Sequence, residues 1–201
     1  MANRAVYGLV LAGGKSRRMG QDKALLDHSG QSQLAYSVAI LERCVDRVFV
    51  STRPDQTNER ERSRFERIVD RYDELGPVAG ILSAFSEYPD VDWLVLACDL
   101  PNIDEATIRQ LLQESDDKYP FTAYASSFDG LPEPLCALYR AGAADIVQGF
   151  VDAGLNCPRK MLMRSNTQLL KQANPRALDN VNTPDDLQNS PLQAGAVRAG
   201  R

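Results

Sequence analysis

A glycine pair followed by several basic side chains lies near the start of the chain, in the stretch LAGGKSRRMGQDKALL. Gly13 and Gly14 have no side chain, so backbone N–H groups at this turn can come close to the oxygens of a phosphate group. The lysines and arginines that follow can balance several negative charges. The spacing matches neither the P-loop pattern G-x-x-x-x-G-K-[ST] nor the dinucleotide pattern G-x-G-x-x-G. The stretch therefore indicates a nucleotide or phosphate loop, and the alternative is a glycine turn with a solvated basic loop.

Asp99 is a second residue whose position suggests chemistry, because it follows the most apolar stretch of the chain, VDWLVLAC over 91–98. A carboxylate at the end of a buried strand is costly unless a partner balances its charge. A divalent cation is one such partner, since Mg²⁺ commonly uses one or two carboxylates together with phosphate oxygens and water. The alternative is a turn or helix-capping aspartate beside Pro101. Asp99 is therefore a candidate metal ligand.

Strands and helices alternate over residues 1–115, and this alternation decides where the candidate residues lie. Sequence patterns predict strands over 6–11, 45–50, 67–70 and 91–98 and helices over 33–44, 78–87 and 105–114, the last capped by Asp104. Such alternation indicates a parallel sheet with helices on both faces, in which ligands bind beyond the carboxyl ends of the strands where the strand order reverses. We therefore expect the loop after Leu11, the turn after Val50, Asp70 and Asp99 to share one edge of the sheet.

The remainder of the chain is less regular. Strands are predicted over 121–125, 135–139 and 178–181, and helices over 143–153, 157–164 and 184–187, the last capped by Thr183. The segment 56–67 (QTNERERSRFER) mixes charges of both signs, which predicts a solvated helix or loop that carries no chemistry. We expect a single domain over 1–189 and a disordered tail over 190–201, which is rich in Ala and Gly.

Composition excludes several classes of protein. The chain has 201 residues, of which 43% are hydrophobic, so it can bury a sizeable core. A net charge of −4 disfavours general nucleic-acid binding, and no apolar run approaches the roughly 18 residues of a membrane span. The N-terminus lacks the apolar core of a secretory signal, and the scattered cysteines with one histidine disfavour a zinc site. We therefore expect a cytoplasmic protein without nucleic-acid or membrane partners.

Four motifs in order resemble those of the nucleotidyltransferases related to molybdenum cofactor guanylyltransferase: LAGGKSRRMGQDKALL, GPVAG (76–80), LACDLP (96–101) and NVNTPDDL (180–187). The resemblance implies an α/β fold of nucleotidyltransferase type, a Rossmann-like three-layer sandwich with a mostly parallel sheet. It implies a Mg²⁺-dependent enzyme that transfers GMP from GTP to the molybdenum–molybdopterin cofactor and releases pyrophosphate. The half over 1–115 would bind the nucleotide, and the half over 116–189 would bind the acceptor.

The same resemblance implies roles for individual residues. The residues expected to bind the nucleotide are Leu11, Ala12, Gly13, Gly14, Lys23, Asp70 and Asp99. Arg18, Lys23 and Asp99 are the expected catalytic residues, with Asp99 as the ligand of Mg²⁺. Asn180 and Asn182 would lie near the acceptor, or would serve as a turn and helix cap.

Two other segments bear on specificity. LAGG stands where the related cytidylyltransferases tend to have LAAG, which favours GTP over CTP. The family often has Asn after its second strand, whereas this chain has Ser51-Thr52-Arg53, so a nucleotide contact by Ser51 is in doubt. The basic segment 157–164 (CPRKMLMR) could supply cations for the acceptor's phosphate or pack as an amphipathic helix.

Several alternatives stay open at this point. The chain could transfer a cytidylyl group to the same cofactor, or a nucleotidyl group to a sugar phosphate. It could also be an inactive nucleotide-binding module, although Arg18, Lys23 and Asp99 are all present. The expected partners are GTP, the molybdopterin cofactor, and molybdoenzyme apo-proteins or cofactor-delivery proteins, and we expect the chain to act as a monomer.

Overall fold

The main sheet has seven strands in the computed structural model, which describes residues 4–14, 22–181, 186 and 191–193. Its strands are β1 (Val6–Leu11), β4 (Arg47–Thr52), β5 (Arg67–Val69), β6 (Asp92–Ala97), β7 (Phe121–Ala125), β8 (Pro132–Tyr139) and β9 (Thr167–Lys171). A smaller sheet contains β2 (Asp27–His28), β3 (Gln31–Ser32) and β10 (Leu192–Gln193). None of the helices in the described part of the chain has the length and apolar character needed to cross a membrane.

The strand order of the main sheet is β5-β4-β1-β6-β8-β7-β9. The first four of these strands are parallel, β8 runs antiparallel to both of its neighbours, and β9 is parallel to β7. The chain leaves β1 for β4 and β5 on one side and then returns to the other side of β1 with β6. The strand order therefore reverses between β1 and β6, where Leu11 pairs with Ala97.

Helices cover both faces of this sheet. They are α1 (Gln33–Leu41), α2 (Pro77–Glu87), α3 (Glu105–Glu114), α4 (Ala143–Asp152) and α5 (Pro158–Met163). Alternate residues of β1 enter different cores: Val10 packs with residues of α1 and α3, and Leu9 packs with residues of α2, α4 and α5. All six residues of β6 are buried, as a central strand covered on both faces requires. The predicted three-layer α/β fold with a mostly parallel sheet is confirmed.

Local signals set several of the helix boundaries. Asp104 caps α3, because its Oδ1 accepts a hydrogen bond from the backbone N–H of Thr107 at 2.7 Å, and α3 has the predicted bounds. Ser32 caps α1 in the same way through Ala35. Gly76 precedes α2 with a φ of +57°, a conformation that favours glycine, and Pro77 follows at the first helical position.

One prediction about secondary structure and one about solvent exposure are wrong. Residues 178–181 form no strand, and the last strand of the main sheet is β9, in which only Leu170 is buried. The segment 56–67 is not wholly solvated, since Arg62 is fully buried. Two partners of Arg62, Ala12 and Asp22, lie 50 and 40 positions away in the sequence, so no local pattern indicates that this arginine is buried.

The C-terminal predictions meet the structure only in part. Leu192 and Gln193, from the predicted disordered tail, pair with β2, and Leu192 packs against Leu26 and Val181. Thr183 lies outside the described residues, as does the predicted final helix apart from Asp186. Arg18 and Asn182 also lie outside them.

Candidate active site

A cavity of about 1190 Å³ lies at the carboxyl ends of β1, β4, β5 and β6. Its lining includes every residue that the sequence assigned to the nucleotide: Leu11, Ala12, Gly13, Gly14, Lys23, Asp70 and Asp99. The cavity adjoins the point where the strand order reverses, which is the usual ligand position in open α/β sheets. The structure therefore brings these residues together around one space, as the order of the strands predicts.

Lys23 and Asp99 form an ion pair in this cavity. The distance from Lys23 Nζ to Asp99 Oδ2 is 3.3 Å, and the two side chains are 14% and 24% exposed. Lys23 begins a short 3₁₀ helix, Lys23–Leu25, whose cap is Asp22: the Oδ1 of Asp22 accepts from the backbone N–H of Ala24 at 3.1 Å. The pair balances the charge of a carboxylate at the end of a buried strand and places a cation beside it.

Asp70 lies between the glycine pair and β4. Its Oδ1 accepts a hydrogen bond from Ser51 Oγ at 2.7 Å, and a Cβ atom at Gly13 would lie 3.2 Å from its Oδ2. Burial raises the pKa of Asp70, although the hydrogen bond from Ser51 and the nearby Arg53 oppose the change. Glycine at position 13 therefore allows the chain to pass close to this carboxylate.

Gly80 lets α2 pack closely against the residues beside the cavity. A Cβ atom at Gly80 would lie 2.3 Å from Ser51 Oγ and 2.9 Å from Leu11 Cδ2. Any side chain at this position would displace Ser51, which holds Asp70. The GPVAG motif thus supplies both the turn at Gly76 and a close helix–strand contact.

Arg53 is a cavity residue that sequence reasoning did not assign. Its Nη1 donates to the carbonyl oxygen of Gly13, and its Nε and Nη2 donate to the carboxylate of Asp55, each at 2.9 Å. Asp22 and Tyr72 also line the cavity without having been assigned. The only signal for Arg53 was that the chain departs from the family's Asn at this point. Ser51 donates a hydrogen bond from its Oγ to Asp70, so this serine helps to position the Asp70 carboxylate.

A second cavity of about 230 Å³ adjoins the first, and the two share Pro77, Ala97, Asp99 and Leu135. Asn180 lines this second cavity, close to Asp99, because the backbone N–H of Val181 donates to the Asp99 carbonyl at 3.1 Å. Arg159 of α5 lines it as well. The Nη2 of Arg159 donates to Glu133 Oε2 at 2.9 Å.

The basic segment 157–164 forms an amphipathic helix, which was one of its two predicted alternatives. Met161 and Leu162 are each 1% exposed and pack into the core on the α2 side of the sheet. Arg159, by contrast, reaches the second cavity. The segment is therefore an amphipathic helix with one arginine on the second cavity, and a contact of that arginine with the acceptor's phosphate stays a prediction.

The donor set suits a metal that is shared with a substrate. Among the described residues no group of three or more His, Cys, Asp or Glu side chains could form a cage for a metal ion. Asp99 faces a cavity large enough to hold phosphate groups, and Lys23 pairs with its charge. Nucleotidyltransferases typically use a divalent metal, and a hard cation held by one carboxylate and by phosphate oxygens fits these residues.

Comparison with known proteins identifies the family of this chain. Residues 8–169 match the family model described as the MobA-like NTP transferase domain. A molybdenum cofactor biosynthesis bifunctional protein of Synechocystis is 39% identical over 90% of this chain, which spans 52% of that relative's length. A probable molybdenum cofactor guanylyltransferase of Nostoc is 32% identical, with 89% of this chain and 87% of the relative covered.

The fold is also shared with a solved structure. Molybdopterin-guanine dinucleotide biosynthesis protein A from Archaeoglobus fulgidus superposes with a TM-score of 0.76, covering 91% of this chain and 95% of that one. The sequence identity of 24% makes this a likeness of fold. The resemblance inferred from the four motifs is confirmed by the family match and by the curated relatives. The chain therefore belongs to the family of MobA-like NTP transferases and is a nucleotidyltransferase.

Proposed function

We propose that this enzyme transfers GMP from GTP to the molybdenum–molybdopterin cofactor, which yields the guanine dinucleotide form and pyrophosphate. The observation that carries the proposal is the ion pair of Lys23 and Asp99, which faces a cavity bordered by the glycine pair at the point where the strand order reverses. Curated relatives named molybdenum cofactor guanylyltransferase support the choice of nucleotide and acceptor.

In the proposed reaction an oxygen of the acceptor's phosphate attacks the α-phosphorus of GTP. The bond between that phosphorus and the oxygen bridging to the β-phosphate breaks, and pyrophosphate leaves with the electron pair. Such a reaction needs positioning and charge neutralisation more than a covalent nucleophile. Lys23 would neutralise charge on the phosphates, Arg18 would act with it, and backbone groups of Gly13 and Gly14 would contact the phosphate oxygens.

Asp99 would hold the metal, for which we propose Mg²⁺. When bound, the ion would neutralise negative charge on the triphosphate and help to orient it. Asp70 and the Leu11–Gly14 stretch would contact the ribose and base. The cavity volume of about 1190 Å³ exceeds the roughly 300–1,000 Å³ of common ligand pockets, which leaves room for a nucleotide and part of an acceptor.

The second cavity is the proposed entrance for the acceptor. It is lined by Asn180 and Arg159 and meets the first cavity at Asp99, so an acceptor phosphate bound there would approach the reacting centre. Asn182 would contribute to the same side. Most of the larger cavity comes from residues before 100, and most of the smaller one from residues after 130, which supports a division into a nucleotide half and an acceptor half within one domain.

We further propose that the enzyme acts as a cytoplasmic monomer and passes its product to molybdoenzyme apo-proteins or delivery proteins. Its four cysteines are free thiols, which is typical of proteins in reducing compartments.

Product analysis tests the proposal. The protein is incubated with Mg²⁺, the molybdenum cofactor and one of GTP, CTP, ATP or UTP, and the dinucleotide product is identified by mass spectrometry. We expect a guanine dinucleotide from GTP and little product from the other nucleotides. A cytosine dinucleotide would assign the chain to cytidylyl transfer. Product formed only when a sugar phosphate replaces the cofactor would contradict the proposed acceptor.

A further inference from the structure

Arg62 is a fully buried arginine within the highly charged segment 56–67. Arginine is almost never fully buried unless its charge is paired, so its contacts show what its burial achieves. Its Nη2 donates to the carbonyl oxygen of Ala12 at 2.8 Å and to Asp22 Oδ2 at 2.8 Å. Its Nη1 donates to Glu59 Oε2 at 3.1 Å. A single guanidinium therefore joins three separate parts of the chain.

Two of these contacts lie at the ends of the glycine-rich basic stretch. Ala12 immediately precedes the glycine pair, and Asp22 immediately precedes Lys23. Asp22 has two roles, because one of its oxygens accepts from Arg62 while the other caps the 3₁₀ helix that Lys23 begins. The contacts thus run without a break from Arg62 through Asp22 to Lys23, whose ammonium pairs with Asp99.

The segment that carries Arg62 is itself firmly held. Glu59 accepts hydrogen bonds from the backbone N–H groups of Glu61 and Arg62 at 2.9 and 3.0 Å. Although burial opposes it, these bonds and the one from the Arg62 side chain lower the pKa of Glu59. Glu61 accepts from Ser32 Oγ at 2.6 Å, and Ser32 is the cap of α1. The contact between Glu61 and Ser32 therefore holds the segment that carries Arg62 against the start of α1.

We propose that Arg62 is a positioning residue that holds Ala12 and Asp22 together and thereby aims Lys23 at the triphosphate. Its planar, forked donors can bridge a carbonyl and a carboxylate at once, which a lysine ammonium on a flexible stem does less well. The consequence for turnover rests on the function proposed above. The tether between Ala12 and Asp22 is a property of the protein alone.

Steady-state kinetics of Arg62→Ala, Arg62→Lys and the control Arg64→Ala test this role. Arg64 is the control because it is a neighbouring arginine that is 61% exposed and pairs with Glu61. We expect Arg62→Ala to raise the KM for the nucleotide and to lower kcat, each about tenfold, since hydrogen bonds to charged groups are lost. The KM for the acceptor should stay unchanged. Arg62→Lys should be intermediate, and Arg64→Ala should resemble the wild type.

Chemical rescue separates positioning from a general loss of folded protein. Guanidinium chloride at tens of millimolar should restore part of the activity of Arg62→Ala and should leave the activity of Arg64→Ala unchanged. A variant that merely lost folded protein would show a lower kcat, an unchanged nucleotide KM and no rescue, and that result would overturn the proposal.

Hydrogen exchange measures the tether without any nucleotide. Backbone amides of residues 13–14 and 22–26 should exchange faster in Arg62→Ala than in the wild type, while those of β6 and α3 should be unchanged. Equal exchange rates at residues 22–26 in Arg62→Ala and in the wild type would contradict the proposed tether. Asp22→Asn provides a second route if Arg62→Ala does not fold, because Asn keeps an oxygen for the cap and loses the charge that faces Arg62. Should the wild type bind no nucleotide, the proposed function fails, and the exchange result still decides the role of Arg62.

Discussion

The ammonium of Lys23 gives Asp99 the counter-charge that a carboxylate at the end of a buried strand requires. The pair couples the first motif of the chain to the third across 76 positions of sequence. Under the proposed function, Lys23 would contact the triphosphate and Asp99 the metal, so ligand binding would replace this ion pair by two new charge contacts.

Asp70 should make folding stability depend on pH. Burial raises its pKa above the ordinary value of 3.8, so the folded state holds the Asp70 proton more tightly than the unfolded state does. The contribution of Asp70 to stability is therefore greatest at low pH and falls as pH rises through the raised pKa. Asp70→Asn removes this dependence. We expect the free energy of unfolding of the variant, relative to wild type, to increase between pH 4 and pH 7 in urea titrations.

The control for Asp70 is Asp90→Asn, a substitution at an exposed position. Its free energy of unfolding relative to wild type should change little over the same range. A difference between Asp70→Asn and wild type that stays constant, or that falls with rising pH, would contradict the burial of this carboxylate.

At the level of elements, α2 determines how closely the cavity residues approach one another. Gly80→Ala should destabilise the protein by about 1–3 kcal/mol, because the added methyl group would overlap Ser51 and Leu11. Urea unfolding measures this change. Gly149→Ala in α4 is the matched control. Apart from its chain neighbours and the backbone of its own helix, no atom of the described residues lies within 4 Å of the added Cβ, so the gain in helix propensity should stabilise the protein by about 0.5–1 kcal/mol. Equal effects of the two substitutions would show that α2 does not pack as described.

Sequence patterns predicted the elements best where burial or capping is strong. Strand β6 is apolar from Trp93 onward and α3 has an aspartate cap, and the predicted bounds of both lie close to the observed ones. Strand β9 was missed because it lies at the edge of the sheet and buries only Leu170, so its apolar signal is weak. The start of β8 was missed because its first residues include Pro132 and Pro134, which are typical of turns.

The backbone positions of the candidate site were predictable from the sequence, whereas several of its side-chain contacts were not. Parallel strands bring their carboxyl ends to one edge, so Leu11, Asp70 and Asp99 could be placed together from strand order alone. Side-chain partners such as Arg53 on Gly13 and Arg62 on Asp22 depend on tertiary contacts between segments about 40 positions apart. A run of mixed charges looks the same whether or not one arginine turns inward, so the sequence could not reveal Arg62.

At the scale of the whole molecule, two cavities meet at Asp99, and substitutions should affect them separately. Asn180→Ala should raise the KM for the acceptor about fivefold, because a polar contact is lost on that side, and should leave the KM for GTP unchanged. Initial-rate kinetics with each substrate varied in turn give both values. Asn174→Ala is the control, since Asn174 is exposed and its side chain contacts Asp104. An increase confined to the KM for GTP would contradict the assignment of the smaller cavity to the acceptor.

The single-turnover rate of pyrophosphate release by Asp99→Asn tests the central claim most directly. Asn preserves the size of the side chain and removes the charge that faces Lys23 and the proposed metal. We predict a rate at least about 100-fold below wild type, as expected when charge stabilisation in the transition state is lost, with a circular dichroism spectrum like that of wild type. Asp104→Asn, in which Asn can still cap α3, should turn over normally. A rate for Asp99→Asn near that of wild type would contradict the role of Asp99 and, with it, the placement of the reaction between β1 and β6.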